Sequence, residues 1–331
     1  VNVIASLIFS GMTGSAVADA SGLGIMEIEA MRKEGYDDGF SAAITAGSAV
    51  IGPIFPPSIP LVIYGVIAGA SIGNLFLAGM VPGIILALAL CIYVCYIANK
   101  RNYPSGRKYA GMEFIRMTVS AIPALLTPII LLMGIYTGIM TATEAGAVAA
   151  LYALLISIFA YRSMTLPEFI QVLKNTVKST GQIGIMLGAA YVFSYVIAVE
   201  NLPSLAGNLI LSFATTKVTF LIFVNIILFI LGMLLDSAVL QLVLLPILCP
   251  IAQSLGIDMV HFGVVFTLNT MIGLCTPPFG MLLFIVTGIS GEKMNTIIKE
   301  VMPMVLVMVL VLILVTFVPD VIMWLPRLFG R

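Results

Sequence analysis

Residues 75–98, 119–138, 145–160 and 301–318 are apolar runs with almost no charge, each reaching or approaching the roughly 20 residues that carry a helix across a bilayer's hydrocarbon core. Backbone amides cannot be left unpaired in lipid, so only helices and closed β-barrels span it. A barrel would alternate apolar and polar residues over segments of about ten, and that alternation is absent. Composition agrees: 61% of the 331 residues are apolar and 9% charged, with a mean hydropathy of +1.17, outside the range of soluble domains. The expectation is an all-α integral membrane protein, with the lipid bilayer as its surroundings and no nucleic-acid partner.

A repeat organises these runs. Residues 36–57 (YDDGFSAAITAGSAVIGPIFPP) fall over residues 257–278 (IDMVHFGVVFTLNTMIGLCTPP) at a shift of 221, which aligns Asp37 with Asp258, Gly52 with Gly273 and Pro56-Pro57 with Pro277-Pro278. The same shift carries Gly11-Met12 onto Gly232-Met233 and Pro82 onto Pro303, and a shift of 222 puts Ser15-Ala16-Val17 on Ser237-Ala238-Val239. Each copy reads as a helical hairpin with a Gly-rich tip (11–15 and 232–237), a helix broken by Gly and Pro-Pro, and an unbroken span. The first repeat is placed at 1–98, a basic cytoplasmic loop at 99–118 and the second repeat at 119–331. A hairpin that returns to its own side adds no crossing. The broken helix (39–70) and spans 75–98, 119–138, 145–161 and 181–198 then separate the hairpins by an odd number of crossings, so the second repeat is expected to be inverted.

Basic residues support the same count. Arg32, Lys33, Lys100, Arg101, Arg107, Lys108, Arg116, Arg162, Lys174, Lys178, Lys293 and Lys299 fall in loops on one side; Lys217, Arg327 and Arg331 fall on the other. Positive charge marks the cytoplasm. The chain opens at Val1 within an apolar stretch, and by symmetry roughly a hundred further residues are expected upstream.

The chemistry is expected where helicity fails. Prolines remove amide donors and clash with the preceding turn, leaving carbonyls that are tolerated at membrane depth only where they line a cavity or meet an ion. The tips (GMTGSAVADASGLG from Gly11, GMLLDSAV from Gly232) add hydroxyls and carboxylates, with Gly14, Ser15, Ser58 and Ser237 forming the substrate region. Oxygen donors of this kind suit a hard cation. Intramembrane carboxylates are expensive, and Asp236 is the best candidate cation ligand. Asp19 is read as seating the tip by accepting backbone hydrogen bonds, and Glu144 as a wet residue at the end of a span. No Lys or Arg occurs at 34–99 or 218–292. An anionic substrate would therefore meet helix N-termini, hydroxyls and a bound cation.

The stretches SGMTGSAVADASGLG (10–24), GPIFPPSIPLVIYG (52–65) and HFGVVFTLNTMIGLCTPPFGMLLFIVTGIS (261–290) resemble the large membrane subunit of tripartite ATP-independent periplasmic (TRAP) transporters of the dicarboxylate and sialic acid type. The resemblance implies an inverted-repeat transporter of the bacterial inner membrane, with two re-entrant hairpins and two broken helices moving as an elevator. It implies sodium-driven uptake of a small organic anion, handed over by a periplasmic substrate-binding protein, with a small four-helix membrane subunit as partner. Carried onto this chain, one Na+ site would use Ser15, Gly52, Phe55 and Pro56, and the other Asp236, Gly273, Thr276 and Pro277. A proton-coupled anion carrier or a passive channel is the alternative. An intramembrane protease is disfavoured: His261 has no serine placed as partner, and Tyr36-Asp37 lacks a second aspartate motif. Cys91, Cys95, Cys249 and Cys275 are read as core residues.

Overall fold

The computed structural model describes residues 1–104, 111–200 and 216–330, and the regular elements among them are all helices. Six are long and apolar enough to cross a membrane: Ile72–Lys100, Ile115–Tyr136, Ala142–Ala160, Leu166–Ile197, Ser237–Ser254 and Met294–Phe317. The all-α expectation holds. The chain forms two compact units, Val1–Gly106 with Pro203–Arg331, and Arg107–Leu202.

The larger unit holds the hairpin, broken helix and following span of each repeat copy, whereas the spans at 119–198 assigned to the second repeat fall in the smaller unit. The first copy runs through α1 (Asn2–Thr13), α2 (Ala16–Ala18), a π-helical turn (Asp19–Leu23), α3 (Gly24–Lys33), α4 (Asp38–Ala49), α5 (Ile59–Ala68) and α6 (Ile72–Lys100). The second runs through α10 (Lys217–Gly232), α11 (Ser237–Ser254), α12 (Met259–Leu274), α13 (Met281–Ser290) and α14 (Met294–Phe317), and a short amphipathic helix α15 (Asp320–Phe329) follows. The copies agree in detail: α4 and α12 stop before Pro-Pro pairs whose linking peptides are both cis, and α5 and α13 end on left-handed Gly69 and Gly291. Prolines 82 and 303 lie inside α6 and α14. The two broken-helix halves α4 and α12 form the core, with residues 39–49 and 261–274 buried throughout. Small side chains let the first pack on α14, with Met304 of that helix set against Gly47. The second packs on α10, with Asn269 donating to Asn225 Oδ1 at 2.7 Å. His261, 3% exposed, lies 3.0 Å from the Val315 carbonyl, a packing contact between α12 and α14.

The smaller unit contains α7 (Gly111–Tyr136), α8 (Ala142–Leu155, continued by a π-helical turn Ile156–Ala160) and α9 (Leu166–Val199). A capping box opens α8: Thr141 Oγ1 accepts from Glu144 N, and Glu144 Oε2 accepts from Thr141 N at 2.8 Å. Glu144 is exposed, as expected of an end residue. Tyr152 and Tyr161 donate to the carbonyls of Pro123 and Ser120 and tie α8 to α7. Most apolar side chains of this unit point outward, the pattern of helices whose solvent is lipid.

Three expectations are corrected. The basic residues are mostly helical rather than in loops: Arg32, Lys33, Lys100, Arg116, Lys174, Lys178 and Lys299 all lie within helices. The clearest case is α9, where no Gly or Pro interrupts residues 168–180 and the helix runs on into polar sequence. Arg107, Lys108 and Arg331 lie outside the described residues. Cys95 is exposed and Cys91 half-buried, whereas Cys249 and Cys275 are core residues. A spanning helix is apolar on all sides, so apolar neighbours do not imply burial in protein. Asp19 does not seat the tip by accepting backbone hydrogen bonds; the tip's cap comes from Ser15 instead. The Asp19 side chain is 2% exposed and neither oxygen accepts a bond among the described residues.

Candidate transport site

Both tips are helix starts. Ser15 caps α2, its hydroxyl accepting from Ala18 N at 3.3 Å, and Asp236 caps α11, its Oδ1 accepting from Ala238 N at 2.8 Å. The caps pair Ser15 with Asp236, a shift of 221, so a serine hydroxyl in one copy stands where a carboxylate stands in the other. The 222 register, which set Ser15 over Ser237, does not match the cap positions. Ser237 is buried inside α11 and shares a 2.9 Å hydrogen bond with Thr270 of α12.

Each tip is held against its own break. Gly14 adopts φ +60°, and a Cβ there would come 2.4 Å from the Pro57 carbonyl oxygen, while Ile59 N donates to Gly14 O at 3.2 Å. Gly52 sits beside the Ser15 carbonyl. In the second copy Gly280 N donates to Met233 O at 3.1 Å, and Gly273 packs directly on the backbone of Gly232. Only glycine allows this approach. In each copy the tip and its break are thus in backbone contact.

The breaks mend part of what proline removes. Ser58 caps α5 by accepting from Leu61 N at 3.1 Å and donates its hydroxyl to the Pro53 carbonyl. Thr276 donates to Ile272 O at 2.7 Å, and Thr276 N donates to Gly273 O at 2.9 Å. A hydroxyl that donates to its own helix keeps its lone pairs for another partner. At Gly52 the carbonyl loses the donor that residue 56 would supply, because that residue is proline.

Between the tips lies a cavity of about 130 Å³. Its polar lining is Gly14, Ser15, Asp236 and Ser237, and its apolar wall includes Val17, Ile59, Ile63, Met271 and Leu274. Both copies contribute. Of the expected residues, Ser58, Phe55, Pro56, Gly52, Gly273, Thr276 and Pro277 do not line it; they stand in the breaks behind the tips. Phe55 packs on the Gly83 face of α6 and can offer an ion only its carbonyl. The oxygens present, hydroxyl and backbone carbonyl at the first tip–break pair and carboxylate, hydroxyl and backbone carbonyl at the second, fit a hard cation and no softer metal. Sequence reasoning missed the apolar wall, since nothing marks Ile63 or Met271 among so many apolar residues. Thr270 was within reach, being a hydroxyl in the buried run VVFTLNTMIG.

Paired interrupted helices with polar groups meeting at a shared cavity define a secondary-transporter permease. The particular family follows from comparison with known proteins. The family profile described as "Tripartite ATP-independent periplasmic transporter, DctM component" matches residues 1–321. The chain is 43% identical over 329 residues to the sialic acid TRAP transporter large permease protein SiaM of Vibrio cholerae, covering 99% of this chain and 77% of that one. It is 41% identical over 328 residues to the sialic acid TRAP transporter permease protein SiaT of Haemophilus influenzae, 99% of this chain and 53% of that one. It is 34% identical over 328 residues to the C4-dicarboxylate TRAP transporter large permease protein DctM of Pseudomonas aeruginosa, 99% of this chain and 77% of that one. The chain belongs to the DctM family of TRAP transporter large permeases and is a multi-pass protein of the bacterial inner membrane. It spans about three quarters of the first relative's length and about half of the second's.

Proposed function

We propose that this chain is the permease subunit of a sodium-coupled carrier that takes up a small organic anion of the sialic acid or C4-dicarboxylate class. The cavity between the two tips carries the proposal, because it joins Ser15 and Asp236, one capping group from each copy, without a Lys or Arg in its lining. An anion there is met by the N-terminal ends of α2 and α11 and by cation charge supplied from solution. Sodium, as co-substrate, would use Ser15 with Gly52, Phe55 and Pro56 on one side, and Asp236 with Gly273, Thr276 and Pro277 on the other.

The remainder follows the family. The two copies are inverted across the membrane, the hairpins are re-entrant, and the hairpins and broken helices move as an elevator past a fixed scaffold. A small four-helix membrane subunit completes the membrane complex, and a periplasmic binding protein delivers the anion. The relatives' names carry sialic acid and C4-dicarboxylate, which sets the range of acids to test.

Substrate binding to the purified complex should tighten with sodium at constant ionic strength, potassium being the replacement ion. Linkage makes the effect reciprocal, about 5- to 150-fold for a typical coupling of 1 to 3 kcal/mol. Ser15→Ala and Thr276→Ala should reduce that factor, and Ser157→Ala, in the smaller unit, should not. Equal affinity in sodium and potassium would refute sodium coupling and favour a proton-coupled carrier or a channel.

A further inference from the structure

A second group of buried polar side chains lies away from the cavity, on the inner faces of α1, α3 and α4. Ser6 Oγ lies 2.9 Å from Ser48 Oγ and donates to Glu27 Oε1 at 3.4 Å. Thr45 donates to Glu27 Oε2 at 3.5 Å. Asn2 donates to Thr45 at 3.0 Å and accepts from Ser48 at 3.0 Å. Glu27 is 8% exposed, and both of its bonds are long. Asp19, on the π-helical turn packed against α1 and α4, stands beside Ser6 and within Coulombic reach of Glu27. Asp19 is 2% exposed, and among the described residues neither of its oxygens has a partner at hydrogen-bond geometry, Ser6 being nearby but turned to Ser48 and Glu27.

Two carboxylates enclosed together repel each other and lose their hydration, and a buried charge is retained only when paired or bound to a metal. Among the described residues no Lys or Arg side chain pairs with either carboxylate: the ion pairs present all go to other acids, and Arg32 is spent on Asp38 and the Ser290 carbonyl. Neutral oxygens surround the carboxylates instead. The second copy has no equivalent: either register puts Leu240 or Gln241 opposite Asp19, and Leu248 or Cys249 opposite Glu27. The charge therefore does not come from the repeat architecture itself.

We propose that Asp19 and Glu27, with the hydroxyls of Ser6, Thr45 and Ser48, form a hard-cation site separate from the cavity between the tips. Its ligands are all oxygen, which suits sodium or calcium and no softer metal. The ion neutralises carboxylates that otherwise face one another unpaired, and it clamps the first hairpin's second arm to α4. The site does not depend on the sodium-coupled reading of the tips.

The test counts ions on the complex of the full-length chain, using radioactive sodium and, in a parallel arm, radioactive calcium, at fixed pH and ionic strength with choline as replacement. The variant Asp19→Asn with Glu27→Gln should bind about one ion fewer of one of the two species than the unaltered protein. Ser15→Ala with Asp236→Asn, which damages only the tips, should keep that ion. If both ion counts are unchanged in the first variant, the site is refuted and the cluster shares a proton instead. Should that variant fail to assemble, the tip variant decides alone: retention of neither sodium nor calcium overturns the proposal. If the tip variant loses no ion while the cluster variant does, the cluster stands and only the tip sites fail.

Discussion

Gly273→Ala probes the contact that shapes the second ion region. In the structure, a Cβ on Gly273 would lie 2.5 Å from the carbonyl carbon of Gly232, 2.7 Å from its Cα and 2.8 Å from its oxygen. Favourable carbon–carbon separation begins near 3.5 Å, roughly 1 Å further out. The obstruction is backbone against backbone, so no rotamer change can absorb it, and the tip and the break must part. Overpacking of this kind costs about 1–3 kcal/mol. If sodium binds only when tip and break are in contact, the whole penalty falls on the ion-bound state, and sodium affinity should drop roughly 5- to 150-fold. Gly288→Ala is the internal control, because Gly288 lies in α13 with no heavy atom within 4 Å of its Cβ position. Sodium-dependent thermal stabilisation of the purified complex, with potassium as the replacement ion, reads both variants. A Gly273→Ala protein that responds to sodium like Gly288→Ala would refute the reasoning.

Asp236→Asn should weaken the sodium response of substrate binding while leaving assembly intact, since the amide oxygen can still cap Ala238; an unchanged sodium titration removes Asp236 from the ligand set. Ser58→Ala should cost about 0.5–2 kcal/mol of stability through loss of the α5 cap, visible as a lower melting temperature, with substrate affinity retained, because Ser58 does not line the cavity. In a Cys95→Ala background, Lys100→Cys should react only with reagents that reach the cytoplasm and Leu328→Cys only from outside. Labelling of both from one side would overturn the inverted topology.

Much of this arrangement was legible because it rests on residues with few structural options. Pro-Pro pairs must end a helix wherever they fall, so the breaks after Ala49 and Leu274 could be read directly. The glycine-marked tips were visible for the same reason. Caps were harder: Ser15 and Asp236 do the same work with different chemistry, and an identity-based register slid by one residue to match serine with serine. Burial was least legible, because lipid and protein interior select the same side chains, which is why Cys95 and Cys249 look alike in sequence and differ in the fold. Asp19 was misread for another reason. Its environment is set by α1 and α4, and no local pattern around residue 19 reports that Ser6 and Glu27 will be its neighbours.

The cavity's polar lining has a consequence for how such permeases can diverge. Ser15 and Asp236 face the cavity and also terminate helices, while Gly14 is fixed by a left-handed backbone and the carbonyl of Pro57. A change at any of the three disturbs the local chain before it alters what fits inside. Val17, Ile63, Met271 and Leu274 cap no helix and hold no left-handed turn; Ile63, Met271 and Leu274 pack in the core, where one aliphatic volume can replace another. Adaptation to a new cargo would thus proceed by resizing the greasy wall, swapping one aliphatic volume for another, while the polar end stays constant. Related permeases named for sialic acid, isethionate and C4-dicarboxylates give a natural series in which to look for that division between drifting and frozen positions.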